Sequence, residues 1–299
     1  ISFKQVSKTV ELLKEGGTVP FISRYRKEQT GGLDEVQILD VKNGLDRLQE
    51  LEKRKQTVIK AIDEQVLLTD EVKNSILKAT LLTEVEDIYL PFKKKRKTKA
   101  TVARENGLEP LAKIIMSQNE EDISRVAARF VKGEVKTNED ALEGARFIIA
   151  EWINERVSAR NITRRIFDKQ AIAKGKVIKG KEIAGEKFKD YFDYSEATTK
   201  LKSHRTLALL RAENEGVIRL KIQPEEELVL DKLNEKLKHG WNESSEQVEL
   251  AIKDSYKRLL KPSIETEHRN KLKLEADEQA IEVFSENLKQ LLMTAPVGQ

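Results

Sequence analysis

Apolar residues recur every three or four positions along most of the chain, a spacing that predicts helix nearly throughout. Phe3, Val6, Val10 and Leu13 share one face of a first helix. Gly16-Gly17 stops it, because glycine readily takes the positive-φ position that a helix C-terminus prefers. Thr18 can cap a short second helix, in which Pro20 is tolerated because first-turn amides lack intrahelical partners. Phe21, Ile22 and Tyr25 share a face of it, Gly31-Gly32 ends it, and Asp34 with Gln37 reads as a capping box. The long helix that follows carries Val41, Leu45, Leu48, Glu52, Lys55, Ile59, Ile62 and Val66 in alternating four-three rhythm. Glu52 and Lys55 break this heptad seam, so packing against the chain's own helices is expected rather than a free-standing coiled coil. Thr69 and Thr83 read as further helix starts, Thr83 with Glu86 as a capping box.

Beyond Gly107 and Pro110 the helices shorten. Ile123, Val126, Phe130 and Val131 form one stripe, and Leu142, Ala145, Ile149, Trp152 and Ile153 another. A basic helix follows Ser158, and Lys174, Lys176, Lys179 and Lys181 fall in a glycine-punctuated turn region. Lys187 to Tyr194 is predicted helical with Phe188, Tyr191 and Phe192 buried, and Ser203 starts another helix. Val217 to Ile222 alternates with period two and is the one convincing strand, which needs a pairing partner. Glu225, Glu226 and Glu227 suit a helix N-terminus, Ser244 with Gln247 can cap the next helix, and a last one runs past Pro262 to Ala295-Pro296. The expected fold is all-α: a multi-helix scaffold with long helices, a helix-turn-helix-like inserted subdomain and at most one or two short strands. The expected segments are 1–106, 107–181 and 182–299.

Composition narrows the function classes. The chain has 299 residues, 35% of them charged, and 55 basic against 51 acidic residues leave a net charge of only +4. A nucleic-acid signal must therefore come from local clustering. The absence of cysteine excludes disulfides, thiolate zinc sites and a cysteine nucleophile. No apolar run reaches membrane-spanning length and no signal peptide is visible, so no membrane partner and a cytoplasmic location are expected. His204, His239 and His268 are scattered, and phosphate-loop and nucleophile-elbow motifs are absent. Asp190 and Asp193 lie among aromatics and read as structural. No enzyme activity, metal or cofactor is expected.

Thr18 to Gln37, Asp87-Ile-Tyr-Leu-Pro-Phe-Lys with Arg96-Lys-Thr-Lys-Ala, Gly107-Leu-Glu-Pro-Leu-Ala, Lys187-Phe-Lys-Asp-Tyr-Phe-Asp-Tyr, Ser203-His-Arg, and Val283 to Leu292 form blocks along the chain. In this order they resemble the Tex family of bacterial transcription accessory proteins. Ser23, Phe92 and Lys94 depart from the family's usual alanine, tyrosine and proline. The resemblance implies the N-terminal scaffold of a longer nucleic-acid-binding protein, cut before an RNase H-like domain. It also marks Pro20, Phe21, Arg24, Tyr25, Arg26, Lys27, Gly31, Gly32, His204 and Arg205 as signature positions. Their expected role is structural, with Arg24, Arg26 and Lys27 pairing acids of neighbouring helices rather than binding an anion.

Two cation clusters are the candidate phosphate contacts. The first is Lys93, Lys94, Lys95, Arg96, Lys97, Lys99 and Arg104; the second is Arg160, Arg164, Arg165, Lys169, Lys174 and Lys176. Point charges there would release counterions from RNA or DNA and position it largely without reading sequence. Aromatics are not interleaved with either cluster, which argues against reading single strands there. The competing expectation is a scaffold that docks transcription or translation proteins without touching nucleic acid. The sequence does not set the oligomeric state.

Overall fold

Caps and glycine stops delimit the first elements. In the computed structural model, which describes residues 1–93 and 97–293, the chain divides into two units, residues 1–94 and 95–299. The first unit opens with α1 (Phe3–Lys14), capped by Ser2 and stopped at Gly16, whose φ is 90°. The helix α2 (Val19–Tyr25) carries Pro20 in its first turn and ends earlier than expected, a run of turns leading from Arg26 to Gly31 and Gly32, both at positive φ. Asp34 and Gln37 form the expected capping box of α3 (Glu35–Asp63). Thr69 caps α4 (Asp70–Lys78). The helix α5 (Leu82–Tyr89) starts earlier than the sequence suggests, because the Glu84 carboxylate, not that of Glu86, accepts from the amides of Thr80 and Leu81.

The buried line of α3 is shifted from the expected heptad. Leu51, Lys55, Val58 and Ile62 are buried, whereas Leu48 and Val66 are exposed. Lys55 tolerates burial because its ammonium donates to the Glu52 carboxylate at 2.7 Å and to the Leu77 carbonyl at 3.1 Å. Two small cores hold this unit: Leu12, Ile22, Leu33 and Ile38 in one, and Leu51, Val58, Ile62, Ile76 and Val85 in the other.

The second unit contains α6 (Lys99–Glu105), α7 (Glu109–Ser117), α8 (Ile123–Ala127), α9 (Asn138–Glu155) and α10 (Val157–Gln170). It continues through β1 (Ile172–Val177), β2 (Asp193–Ala197), α11 (Ser203–Asn214), β3 (Ile218–Gln223), α12 (Glu226–Leu237), α13 (Glu243–Ser255) and α14 (Lys261–Met293). One core runs from Ala100 to Ile264 and includes Ile148, Phe167, Leu220 and Tyr256. The expected segments 107–181 and 182–299 thus share that core, and α6, which the expected boundary at 106 assigns to the first segment, packs on α9.

The helical expectation holds, but the described residues include three strands where at most one or two were expected. They form an antiparallel sheet in the order β2-β1-β3. Lys174 and Lys176 therefore stand on a strand, not in a turn region. Its inward positions are Ala173, with a single methyl, and Gly175, with no side chain, so the alternation signal is weak. A Cβ at Gly175 would lie 2.9 Å from the Tyr191 carbonyl oxygen, so only glycine lets that backbone approach. The segment expected to be helical up to Tyr194 is instead a 3₁₀ stretch, Glu186–Tyr191, running into β2. Strand β3 matches the expectation: Ile218, Leu220 and Ile222 are buried, each contributing about 1.5–3 kcal/mol.

Asn242, rather than Ser244, caps α13. Between α13 and α14 the chain makes a π-turn at Tyr256–Leu260, with the Lys261 amide donating to the Tyr256 carbonyl. A wide turn there accommodates Pro262, which lacks an amide proton and would otherwise crowd the preceding turn. Consequently the proline does not open a separate helix, and the helical path continues through it.

Candidate nucleic-acid interface

Within the first cation cluster, Lys94, Lys95 and Arg96 lie outside the described residues. Lys93 is exposed, with its ammonium 3.9 Å from Glu86. Lys97 is exposed and pairs with Glu105 at 3.1 Å. The Lys99 ammonium sits 4.5 Å from the Phe147 ring centroid, over its face. Arg104 is engaged in the fold: its Nη1 donates to the buried Glu151 carboxylate at 2.8 Å, and the Thr98 hydroxyl donates to the other oxygen of that carboxylate.

The second cluster splits by depth along α10. Arg160 is 6% exposed and donates to the Ser263 hydroxyl at 3.2 Å, with Glu267 nearby. Arg164 forks onto both oxygens of Glu267 and also donates to Asn161. Those two arginines bind α10 to α14. Arg165 and Lys169, one helical turn apart, remain exposed.

Lys174 and Lys176 meet two cations that sequence reasoning did not single out. In the β1–β3 register Lys174 faces Lys221 and Lys176 faces Arg219. All four are exposed. Directly paired residues of an antiparallel sheet project from the same face about 5 Å apart, and alternate residues of one strand lie about 7 Å apart. The result is a two-by-two array of cations. On the far side of β1, Lys174 faces Ser195 and Lys176 faces Asp193. Glu225 approaches Lys174 at 3.3 Å. No aromatic residue occupies this face of the three strands, so it presents charge and hydrogen-bond donors without stacking surfaces. The signal for Arg219 and Lys221 was present in the polar phase of the β3 alternation, but their meeting with β1 depends on a pairing that spans some forty residues.

The signature positions separate similarly. The Glu196 carboxylate accepts from Tyr194 and Arg205, the Arg205 contact being 3.2 Å. These bonds, led by that of the Tyr194 hydroxyl, hold the Glu196 carboxyl below its usual range. Burial first, and this carboxylate second, push the Tyr194 phenol up to about 12. Arg205 is thereby tied to β2, while His204 beside it is exposed. In α2, Ile22 is fully buried but Phe21 and Tyr25 are 44% and 71% exposed. Arg24, Arg26 and Lys27 are exposed, and no acid among the described residues forms an ion pair with them, contrary to the expected interhelical locks. Among the described residues no cluster of His, Asp and Glu could hold a metal, and no helix is long and apolar enough to cross a membrane.

Comparison with known proteins adds two family matches. A profile for the Tex-like protein N-terminal domain covers residues 1–63, and one for the Tex central region covers residues 118–284. Similar curated proteins include the transcriptional accessory protein Tex of Neisseria gonorrhoeae, 39% identical over 99% of this chain and 40% of that protein. YdcI of Bacillus subtilis is 42% identical over 99% of this chain and 42% of its own length. The human S1 RNA-binding domain-containing protein 1 is 28% identical over 96% of this chain and 30% of that protein. The chain spans about two-fifths of the length of its bacterial relatives. The central-region match alone takes in more than half of the chain, and we conclude that it belongs to the Tex family.

Proposed function

We propose that this chain is a helical scaffold of a Tex-like transcription accessory protein that binds nucleic acid through its phosphates, with little dependence on sequence. The observation that carries this reading is the cation array of Lys174, Lys176, Arg219 and Lys221 on the exposed sheet face. Like charges directly opposite on a sheet destabilise it, so four of them on one face is an arrangement that folding alone does not favour. A polyanion lying on the face would turn that repulsion into attraction and release condensed counterions. With no ring to stack on a base, the face would take the backbone and leave sequence unread.

Arg165, Lys169 and Lys97 are exposed cations that could extend the contact. Arg104, Arg160 and Arg164 would serve indirectly, by fixing the helices that carry the exposed ones. The name of the human relative, which includes an RNA-binding domain, is consistent with a nucleic-acid partner. No catalytic group is proposed, and the role is binding and positioning, in the cytoplasm.

Titrating the chain against a duplex DNA and a duplex RNA at several salt concentrations tests the reading. The expected result is binding to both, with log affinity falling linearly with log salt. Absence of binding at low salt, or a slope near zero, would overturn it.

A further inference from the structure

The most conspicuous feature that the sheet-face reading leaves unused is the signature stretch after Pro20. Phe21 and Tyr25 are one turn apart on α2, with ring centroids 5.4 Å apart and planes inclined at 41°. Arg26 lies over the Phe21 ring at 5.7 Å, so one Phe21 face already carries a cation, while Tyr25 remains the more uncovered ring. Two large aromatics left in water forgo the stabilisation that burial would supply. Arg24, Tyr25, Arg26 and Lys27 line a hollow of about 790 Å³ with Glu28 as the only acid in its lining, and Phe21 stands beside it rather than in its wall.

The backbone beneath is fixed. The Gly32 backbone amide donates to the Lys27 carbonyl at 2.9 Å, the buried Thr30 hydroxyl to the same oxygen at 3.0 Å, and the Gln5 side-chain Nε2 to the Gly31 carbonyl at 3.0 Å. Gly31 and Gly32 take φ values of 67° and 86°, which glycine alone adopts without strain. The cations and rings therefore stand on a preorganised support, so binding need not order the loop.

We propose that this patch is a second nucleic-acid site, specific for single strands: unpaired bases stack on Tyr25 and Phe21 while Arg24, Arg26 and Lys27 hold the flanking phosphates. Interleaved rings and cations are the combination that single-strand binding uses and that the sheet face lacks. An acidic peptide would engage the cations but would leave the exposed rings without a role. The site goes beyond the phosphate-only reading and stands or falls separately from it.

The test uses the whole chain with two probes, a uridine homopolymer RNA of twelve nucleotides and a blunt DNA duplex. Tyr25→Ala is expected to weaken the homopolymer about tenfold and the duplex by less than about twofold, while Tyr25→Phe stays within about twofold of the parent for both. Tyr25 is solvent-exposed, and an unchanged melting temperature of the variant confirms that the fold is intact. Equal losses for both probes, or none for the homopolymer, would overturn the proposal. So would an octa-glutamate peptide whose binding, unlike that of the homopolymer, depends on Tyr25. Charge changes on the sheet face form a separate arm: they lower duplex affinity if that reading holds, whatever Tyr25→Ala does.

Discussion

Lys174 and Lys221 stand directly opposite one another across the β1–β3 pair, two exposed ammonium groups in register on one sheet face. Glu225, 3.3 Å from Lys174, offsets part of their repulsion at one end, and Asp193 faces Lys176 at the other. Relieving the repulsion should stabilise the fold while weakening binding. Lys221→Thr places a good strand former at an exposed position and should raise stability by a few tenths of a kcal/mol, roughly 0.3–0.5. Paired chemical denaturation and duplex titration check the two opposite signs. A variant less stable than the parent would speak against a cost stored for function.

Arg104 illustrates a cation whose charge is committed to the fold. Glu151 is 7% exposed at its side chain and accepts from both Arg104 and Thr98. Glu151→Ala leaves the partly buried arginine with only the longer contact to Glu109 at 4.0 Å and should cost on the order of 2–3 kcal/mol, discounted from the fully buried case because Arg104 retains some exposure. Combining it with Arg104→Ala should recover part of that loss, and denaturant midpoints of the four proteins close the cycle.

Gly175 tests whether the sheet carries the site. An added methyl would meet the Tyr191 carbonyl oxygen at 2.9 Å and Ile218 Cδ1 at 3.4 Å, and the backbone oxygen cannot turn aside. Gly175→Ala is expected to destabilise by about 1–3 kcal/mol and to weaken duplex binding without removing any charge. Full affinity in a folded variant would argue that the array is not where the backbone lies.

His268 supplies a pH dependence. It is buried between α10 and α14, edge-on to Phe167, with Asp168 Oδ1 3.4 Å from its Nδ1. Desolvation lowers its pKa; Asp168 and Glu275 oppose the shift and Lys271 adds to it. A histidine depressed in the folded state binds its proton more readily when unfolded, so its contribution to stability is present at neutral pH. That contribution is lost as pH falls from the unfolded value near 6.5 toward the lower folded one. His268→Gln should flatten the stability profile below about pH 6.5, measured by urea denaturation at each pH.

Local signals carried most of the helical fold. The Asp34–Gln37 box, the Thr69 cap, the glycine stop at Gly16 and the β3 alternation all read from residues within one turn of each other. What escaped was set by contacts distant in sequence. Ala173 and Gly175 are too small to mark an inward strand face, and Pro262 breaks a helix by rule while a π-turn absorbs it here. The candidate site divides in the same way. Cation runs are visible in sequence, yet Arg160 and Arg164 face Glu267, a hundred residues away, and Arg219 joins Lys176 only through strand pairing. In α2 the periodicity placed Phe21 and Tyr25 with Ile22, but only Ile22 found a core.

The most direct test of the sheet-face claim is the salt dependence of duplex binding for the parent and for a Lys176→Gln, Arg219→Gln, Lys221→Gln variant. If each cation neutralises one phosphate, the slope of log affinity on log salt should become shallower by about 0.9 per residue removed, about 2.7 in all. A folded variant whose slope matches the parent would contradict the account.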